Sequence, residues 1–372
     1  CFSSSEPVHK HVFSGVPASP KIGATRNHRS ERTEHKVDGR DGCFPSNAGT
    51  MMPLLARRRF LALPLASIVL PPLARDSAAQ AWPERTVRLV VPFPSGAGAL
   101  DIMARLLVHH LAPTLGQPII IDNRPGGGGI KGAELVIRSP ADGHTILMGN
   151  LSLVVNPYLL TGLPYDPVAD FMPVTLINLA PLVVVAHPSL LIAFAKAWPG
   201  QLNYGSGGIG STPFLATELF RSMAEIDVTH VPYRGGAPAL ADLVGGRLSF
   251  MIESVSATLA MVKAGRLKAL GVTADHRLPL MPEIPTVSET GLPDYEVVGW
   301  NGLFVPRETP SSIVDRLFRD LAKILRSPDV RQEMAALGAE PGGNAPREFA
   351  AFVRAEAERW GSLIQEKGFR PD

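Results

Sequence analysis

Twice along this 372-residue chain a short apolar strand runs into a glycine-rich turn that opens a helix. In the first instance Val87-Arg88-Leu89-Val90-Val91 leads into Pro92-Phe93-Pro94-Ser95-Gly96-Ala97-Gly98 and an amphipathic stretch over about 101–115. In the second, Leu202-Asn203-Tyr204 leads into Gly205-Ser206-Gly207-Gly208-Ile209-Gly210-Ser211-Thr212 and a helix over 212–223. Around these two units, strands at 119–121, 145–148, 182–186, 228–231, 248–252 and 269–273 alternate with helices at 130–138, 191–197, 237–244 and 257–264. Strands and helices alternating at this spacing build βαβ units on a parallel sheet. The alternation restarts near residue 182, which predicts an α/β protein of two lobes. Amphipathic helices at 311–325, 328–337 and 346–367 close the chain, and no short fixed period suggests a solenoid.

Glycines in such turns let the backbone bend sharply and let a ligand approach the amides. The unpaired N–H groups of the following helix, aided by its dipole, suit an anion such as a carboxylate. The candidate ligand contacts are therefore Phe93, Ser95, Gly96, Ala97 and Gly98 in the first turn, and Gly208, Gly210, Ser211 and Thr212 in the second. The first turn is equally consistent with an ordinary strand–helix connection. Ser211 and Thr212 fit helix capping that doubles as hydroxyl donation to an oxyanion. Asp101 is expected to cap its helix, and Glu253 to end its strand near the mouth of a cleft.

Gly205, Gly207 and Gly210 also satisfy the dinucleotide pattern G-x-G-x-x-G. A nicotinamide site wants an acid at the end of the next strand. Here Asp227 precedes that strand, which runs on into Val231-Pro232-Tyr233. Other enzyme signatures are thin. Tyr204 and Ile209 occupy the first glycine position of the G-x-S-x-G elbow around Ser206 and Ser211. His109 and His110 are adjacent on a helix and point apart, while His144, His187, His230 and His276 are scattered. No catalytic residues, metal site or cofactor are expected.

Residues 1–50 are rich in Ser, His, Arg and Gly without apolar periodicity, and read as a disordered or non-native upstream segment. From Met51 and Met52 the pattern changes. Arg57-Arg58-Arg59 precede an apolar run over 60–73, and Ala79-Gln80-Ala81 fits small-x-small cleavage, so 51–81 reads as a secretory signal peptide. Arg57-Arg58-Arg59-Phe60-Leu61 also fits the twin-arginine core, with Ala56 in place of a hydroxyl residue. The run is shorter than the ~20 residues of a membrane span, and Pro64, Pro71 and Pro72 interrupt it. Removing 1–81 takes 11 of the 36 basic and 6 of the 34 acidic residues, leaving 25 against 28 and a net charge of −3. No basic stripe then points to nucleic acid. Both cysteines, Cys1 and Cys43, lie upstream of the cleavage site.

The motifs, taken in order, resemble the Bug-type extracytoplasmic solute receptors, the substrate-binding components of tripartite tricarboxylate transporters. Val90-Val91-Pro92-Phe93-Pro94 with its glycine turn and Asp101 is similar to the family's opening motif. Asp122-Asn123-Arg124-Pro125-Gly126, Leu163-Pro164-Tyr165-Asp166-Pro167 and Leu202-Asn203-Tyr204-Gly205-Ser206 match further segments, as do Val231-Pro232-Tyr233-Arg234-Gly235, 264–270 and Pro285-Thr286-Val287. The resemblance implies a type II periplasmic-binding-protein fold with a ligand cleft between lobes. Lobe 1 would be 82–183 plus 297–372, and lobe 2 would be 184–296. The two glycine turns would face each other across the cleft, with Asn150 and Ser152 lining it, and two hinge crossings would let the lobes close.

On that resemblance the chain is expected to be a periplasmic, monomeric receptor, not an enzyme. It would capture a small carboxylate or related amide and hand it to membrane permease subunits. The alternatives are a receptor feeding a signalling sensor and a periplasmic enzyme. Two departures stand out. Leu100 occupies a position where the family tends to place a small residue, and between Pro188 and Trp198 the chain lacks roughly two helical turns.

Overall fold

The computed structural model describes residues 82–96, 98–186 and 199–369. The expected helix at 191–197, the shortened stretch between Pro188 and Trp198, Ala97 and the whole leader lie outside the described residues. Described strands are β1 (Val87–Val91), β2 (Ile119–Asn123), β3 (Thr145–Asn150), β4 (Phe171–Val184), β5 (Asn203–Ser206), β6 (Thr229–Pro232), β7 (Ile252–Ser254), β8 (Gly271–Val272), β9 (Val298–Pro306) and β10 (Glu340–Pro341). Described α-helices are α1 (Ala99–Leu115), α2 (Ile130–Ile137), α3 (Leu151–Leu159), α4 (Thr212–Ala224), α5 (Gly236–Val244), α6 (Val255–Lys263), α7 (Ser311–Arg326), α8 (Pro328–Ala336) and α9 (Pro346–Lys367).

One sheet runs in the order β10-β4-β9-β3-β1-β2, with β1 parallel to both β2 and β3. β9 is antiparallel to β3 and to β4, so the sheet is mixed rather than purely parallel. β5 and β6 form a parallel pair, which a single bridge from Tyr204 to Phe250 connects toward β7. Residues of β4 up to Pro181 pair with β9, and from Leu182 onward with β7 and β8. That one strand carries the chain from the first sheet into the second, and β9 begins beside it, Pro181 opposite Val298. Helices flank both parts, as the two-lobed α/β reading requires.

Apolar side chains fill three clusters. One gathers Leu107, Ile146, Ile177, Leu303 and Leu317 beneath α1 and α7. A second centres on Phe220, Phe250, Trp300, Phe304, Phe349 and Trp360. A third holds Val183, Leu240, Met251 and Val272 around β7 and β8.

Local expectation and structure diverge in several places; β7 spans Ile252–Ser254 rather than 248–252, and β9 lies outside the expected strands. α1 begins at Ala99 rather than near 101, so Asp101 lies inside its first turn and Gly98 is the N-cap. β4 extends back to Phe171, a long strand hidden by Pro173 and Pro181. Proline is disfavoured inside a sheet, and here Pro173 sits at a register shift while Pro181 sits where the strand changes sheets. α3 has no visible helical period because nearly all its residues are buried and Pro157 lies within it.

Candidate functional site

Three helices begin on the wall of one cavity of about 100 Å³. Room for a water needs on the order of 10–15 Å³ on the same measure, so the space holds several waters or a small organic molecule. Phe93, Pro94 and Gly98 enter from the β1–α1 turn, followed by Ala99, Leu100 and Asp101 of α1. Gly207, Ser211 and Thr212 come from the β5–α4 turn, and Gly235, Gly236 and Ala237 from the start of α5. Asn150 at the end of β3, Glu253 and Ser254 of β7, and Gly299, Trp300 and Asn301 of β9 complete it, with Ala180 and Leu182 of β4 as floor. Among these lining residues there is no Lys, Arg or His.

The N-caps differ in a way that matters for an anion. Gly98 and Gly235 supply no capping side chain, so the first-turn N–H groups of α1 and α5 have no side-chain acceptor. Ser211 does cap α4, its Oγ accepting the Phe214 N–H at 3.3 Å. That bond uses an oxygen lone pair and leaves the hydroxyl hydrogen free to donate. Helix N-termini carry partial positive charge, so the cavity offers anion binding without a cationic side chain.

Asp101 does not cap α1 in the expected way. From the third helical position its carboxylate reaches back to the turn, accepting Gly96 N–H at 3.0 Å, Asn123 Nδ2 at 2.9 Å and Arg105 Nε at 2.8 Å. Burial alone would raise its pKa, but the hydrogen bonds from Arg105, Asn123 and Gly96 outweigh it and hold the carboxyl below its usual range. Asn123 also donates to the Phe93 carbonyl at 3.0 Å. Asp101 therefore organises the turn beside the cavity it lines. Ser95 and Gly96 stand behind it: Ser95 accepts from Arg105 at 2.9 Å, and Gly96 takes φ +123, a conformation that favours glycine.

Glu253 is the opposite case. It is 5 % exposed, and its Oε1 accepts the Ser254 N–H at 2.8 Å and the Ser254 hydroxyl at 3.1 Å. Burial pushes its pKa up, and those two bonds only partly oppose the shift. Of the remaining expected contacts, Asn150 lines the cavity while Ser152 lies behind it, donating to Asn150 Oδ1 at 2.5 Å. Gly208 and Gly210 shape the second turn without lining the cavity; Gly208 N–H donates to Ser206 Oγ at 3.1 Å. Ile209, Gly210 and Gly235 meet the facing wall directly. A Cβ on Gly210 would strike Asn156 Oδ1, one on Gly128 would come within 2.6 Å of the Ile209 carbonyl, and one on Gly235 within 3.0 Å of Pro94.

Sequence reasoning missed Gly236, Ser254, Gly299, Trp300 and Asn301 as wall residues. The β6–α5 turn repeats the strand–glycine–helix pattern of the other two and could have been found that way. β9 offered no such signal. Ser206 and His230 also meet unforeseen, Oγ to Nε2 at 2.7 Å. Ser206 is 0 % exposed and lies outside the cavity wall, so the pair braces the turn. Among the described residues no group of three or more potential ligands could hold a metal ion, and no helix is long and apolar enough to cross a membrane.

A cleft between α/β lobes, walled by helix N-termini and crossed by paired strands, defines a two-lobed solute-binding protein. The family model for the tripartite tricarboxylate transporter family receptor matches residues 103–369. The chain belongs to that family, and it is a solute-binding receptor. It is 35 % identical over 305 residues to protein BugT of Bordetella pertussis, covering 80 % of this chain and 93 % of that one. Among solved structures, the R. palustris protein Rpa4515 with adipate is 38 % identical, with a TM-score of 0.75 over 77 % of this chain and 98 % of that one. MatC from Rhodopseudomonas palustris with bound malate is 35 % identical, with a TM-score of 0.72 over 76 % and 100 %.

Proposed function

We propose that this receptor works in the periplasm, capturing a small carboxylate and delivering it to the membrane subunits of a tripartite transporter without transforming it. The observation that carries this reading is the convergence of α1, α4 and α5 N-termini on a cavity whose wall, among the described residues, has no basic side chain. Such a wall binds an anion through amides and hydroxyls and releases it readily, which suits delivery better than permanent capture. Relatives solved with adipate and with bound malate support the ligand class. Phe93, Gly98, Asn150, Ser211, Thr212 and Glu253 contact the ligand, while Ser95, Gly96, Asp101, Ser152, Gly208 and Gly210 hold the turns in place.

The moving bodies are 82–183 plus 297–372 and 184–296, hinged near the Pro181–Val298 pair where β4 changes sheets. The ligand favours the closed arrangement because only there do both walls touch it. The receptor acts as a single chain after loss of its leader. It is not an enzyme: its Ser206–His230 pair does not line the cavity, and Asp101 on the wall is occupied by the turn.

A thermal-shift screen of the purified protein against carboxylates, amino acids and nicotinamide cofactors tests this. A ligand at a hundredfold excess over its Kd adds about 2.7 kcal/mol to the folded state. A carboxylate-specific shift is the expected result; a shift with a dinucleotide alone would overturn the reading.

A further inference from the structure

The cavity's one carboxylate outside the turn network has a definite orientation. Oε1 of Glu253 accepts both Ser254 donors, whereas Oε2 lies against Gly236 at the start of α5, so close that a Cβ there would come within 2.6 Å. Oε2 has no hydrogen-bond partner among the described residues, and no basic side chain of the described residues pairs with the group. The elements packed on β7 supply none. β4 carries no charged residue, and on α4 Glu218 and Arg221 pair with each other at 3.0 Å. On α5 Asp242 is held by Arg247 and Tyr233, and Lys263 ends α6. Across the cavity Asp101 is bound to Arg105.

We propose that Glu253 selects the far end of the ligand by donating a hydrogen bond from a protonated Oε2 to a ligand oxygen. The cavity then takes a small dicarboxylate in preference to the matching ω-amino acid. This rests on the receptor reading above. A buried carboxylate with no cationic side chain beside it, and no N–H among the described residues donating to its second oxygen, is costly as an ion; the positive end of α5 offsets only part of that cost. With Oε1 already accepting twice, the proton belongs on Oε2, the oxygen beside Gly236 on the cavity wall. Two groups could satisfy that end of the site: an oxygen that accepts the proton, or an ammonium that turns Glu253 into an ion. The three helix N-termini decide between them, because their positive ends favour a ligand oxygen and oppose an ammonium.

The test is calorimetric titration of the purified wild type, Glu253→Gln and Glu253→Ala with succinate, malate, adipate, caproate and ε-aminocaproate. Gln keeps a neutral donor at the same position. The expected result is dicarboxylate affinity within about threefold of wild type for Glu253→Gln and about tenfold weaker for Glu253→Ala, the worth of one hydrogen bond to a charged group. Wild-type affinity should fall as pH rises through the Glu253 titration, while that of Glu253→Gln stays level. Binding of ε-aminocaproate more tightly than adipate, or equal dicarboxylate binding by all three proteins, would overturn the inference and leave the receptor reading intact. If folded wild-type protein bound no carboxylate at all, the receptor reading would fall, and this inference with it.

Discussion

The Trp300 indole N–H donates to the Glu356 carboxylate at 3.0 Å, so a residue of α9 fixes the ring that closes one wall of the cavity from behind. Both side chains are buried, and Arg359 lies 3.6 Å from the other Glu356 oxygen. The cavity wall is thus held by a contact from α9.

Burial raises the Glu356 pKa above its ordinary 4.5, with Arg359 and Trp300 opposing. An acid raised in the fold holds a proton that the unfolded chain has lost, so its contribution declines as pH climbs from about 4.5 through the folded value. Glu356→Gln retains an acceptor for the indole and removes this titration. Its melting temperature should therefore fall less than that of wild type between about pH 5 and about pH 8. Glu356→Leu, by contrast, should lose about 1 kcal/mol through the orphaned indole N–H. Melts followed by circular dichroism across that range check both.

Asp101 has the opposite sign. Its pKa is depressed by its hydrogen bonds, so the stability it provides is present above the unfolded value of about 3.8 and lost as pH falls through the lower folded one. Asp101→Asn should cost about 2 kcal/mol at neutral pH, because Arg105 loses its partner and Gly96 its strongest acceptor. Denaturant melts should show that deficit shrinking on acidification.

Gly210 has φ +78, and a Cβ there would strike Asn156 on the facing wall. Gly210→Ala should prevent full closure and weaken ligand binding by about tenfold or more. Gly246→Ala is the matched control: its φ is +73, but no atom lies within 4 Å of the added carbon. Backbone strain of about 1 kcal/mol should lower the melting temperature of both variants alike. Ligand titrations should then separate them; equal affinities would show that the Asn156 contact does not govern closure.

Ser211 serves α4 and the cavity at once. Glycine is nearly as good an N-cap as serine, costing only a few tenths of a kcal/mol, whereas alanine costs about 1 kcal/mol. Ser211→Gly should therefore keep the fold and lose the hydroxyl donor, reducing ligand affinity about fivefold. Unchanged affinity would remove Ser211 from the ligand's contacts.

Local chemistry in the sequence determined the α/β class, the strand–glycine–helix turns and the capping role of Ser211. These depend on period-two and helical patterns and on backbone freedom within a few residues. What lay beyond such windows was decided by the tertiary structure. β4 was obscured because the prolines that argue against a strand are tolerated at a register shift and at the crossing between sheets, whereas β9 carries no turn or glycine signal that marks it as cavity wall. Asp101 and Glu253 look alike as isolated acids, and only the fold separates them. One is surrounded by Arg105, Asn123 and an amide and is held as a carboxylate. The other is buried beside a helix start with no cation. Trp300 joined the cavity wall through pairing of strands more than a hundred residues apart, a contact no local pattern encodes.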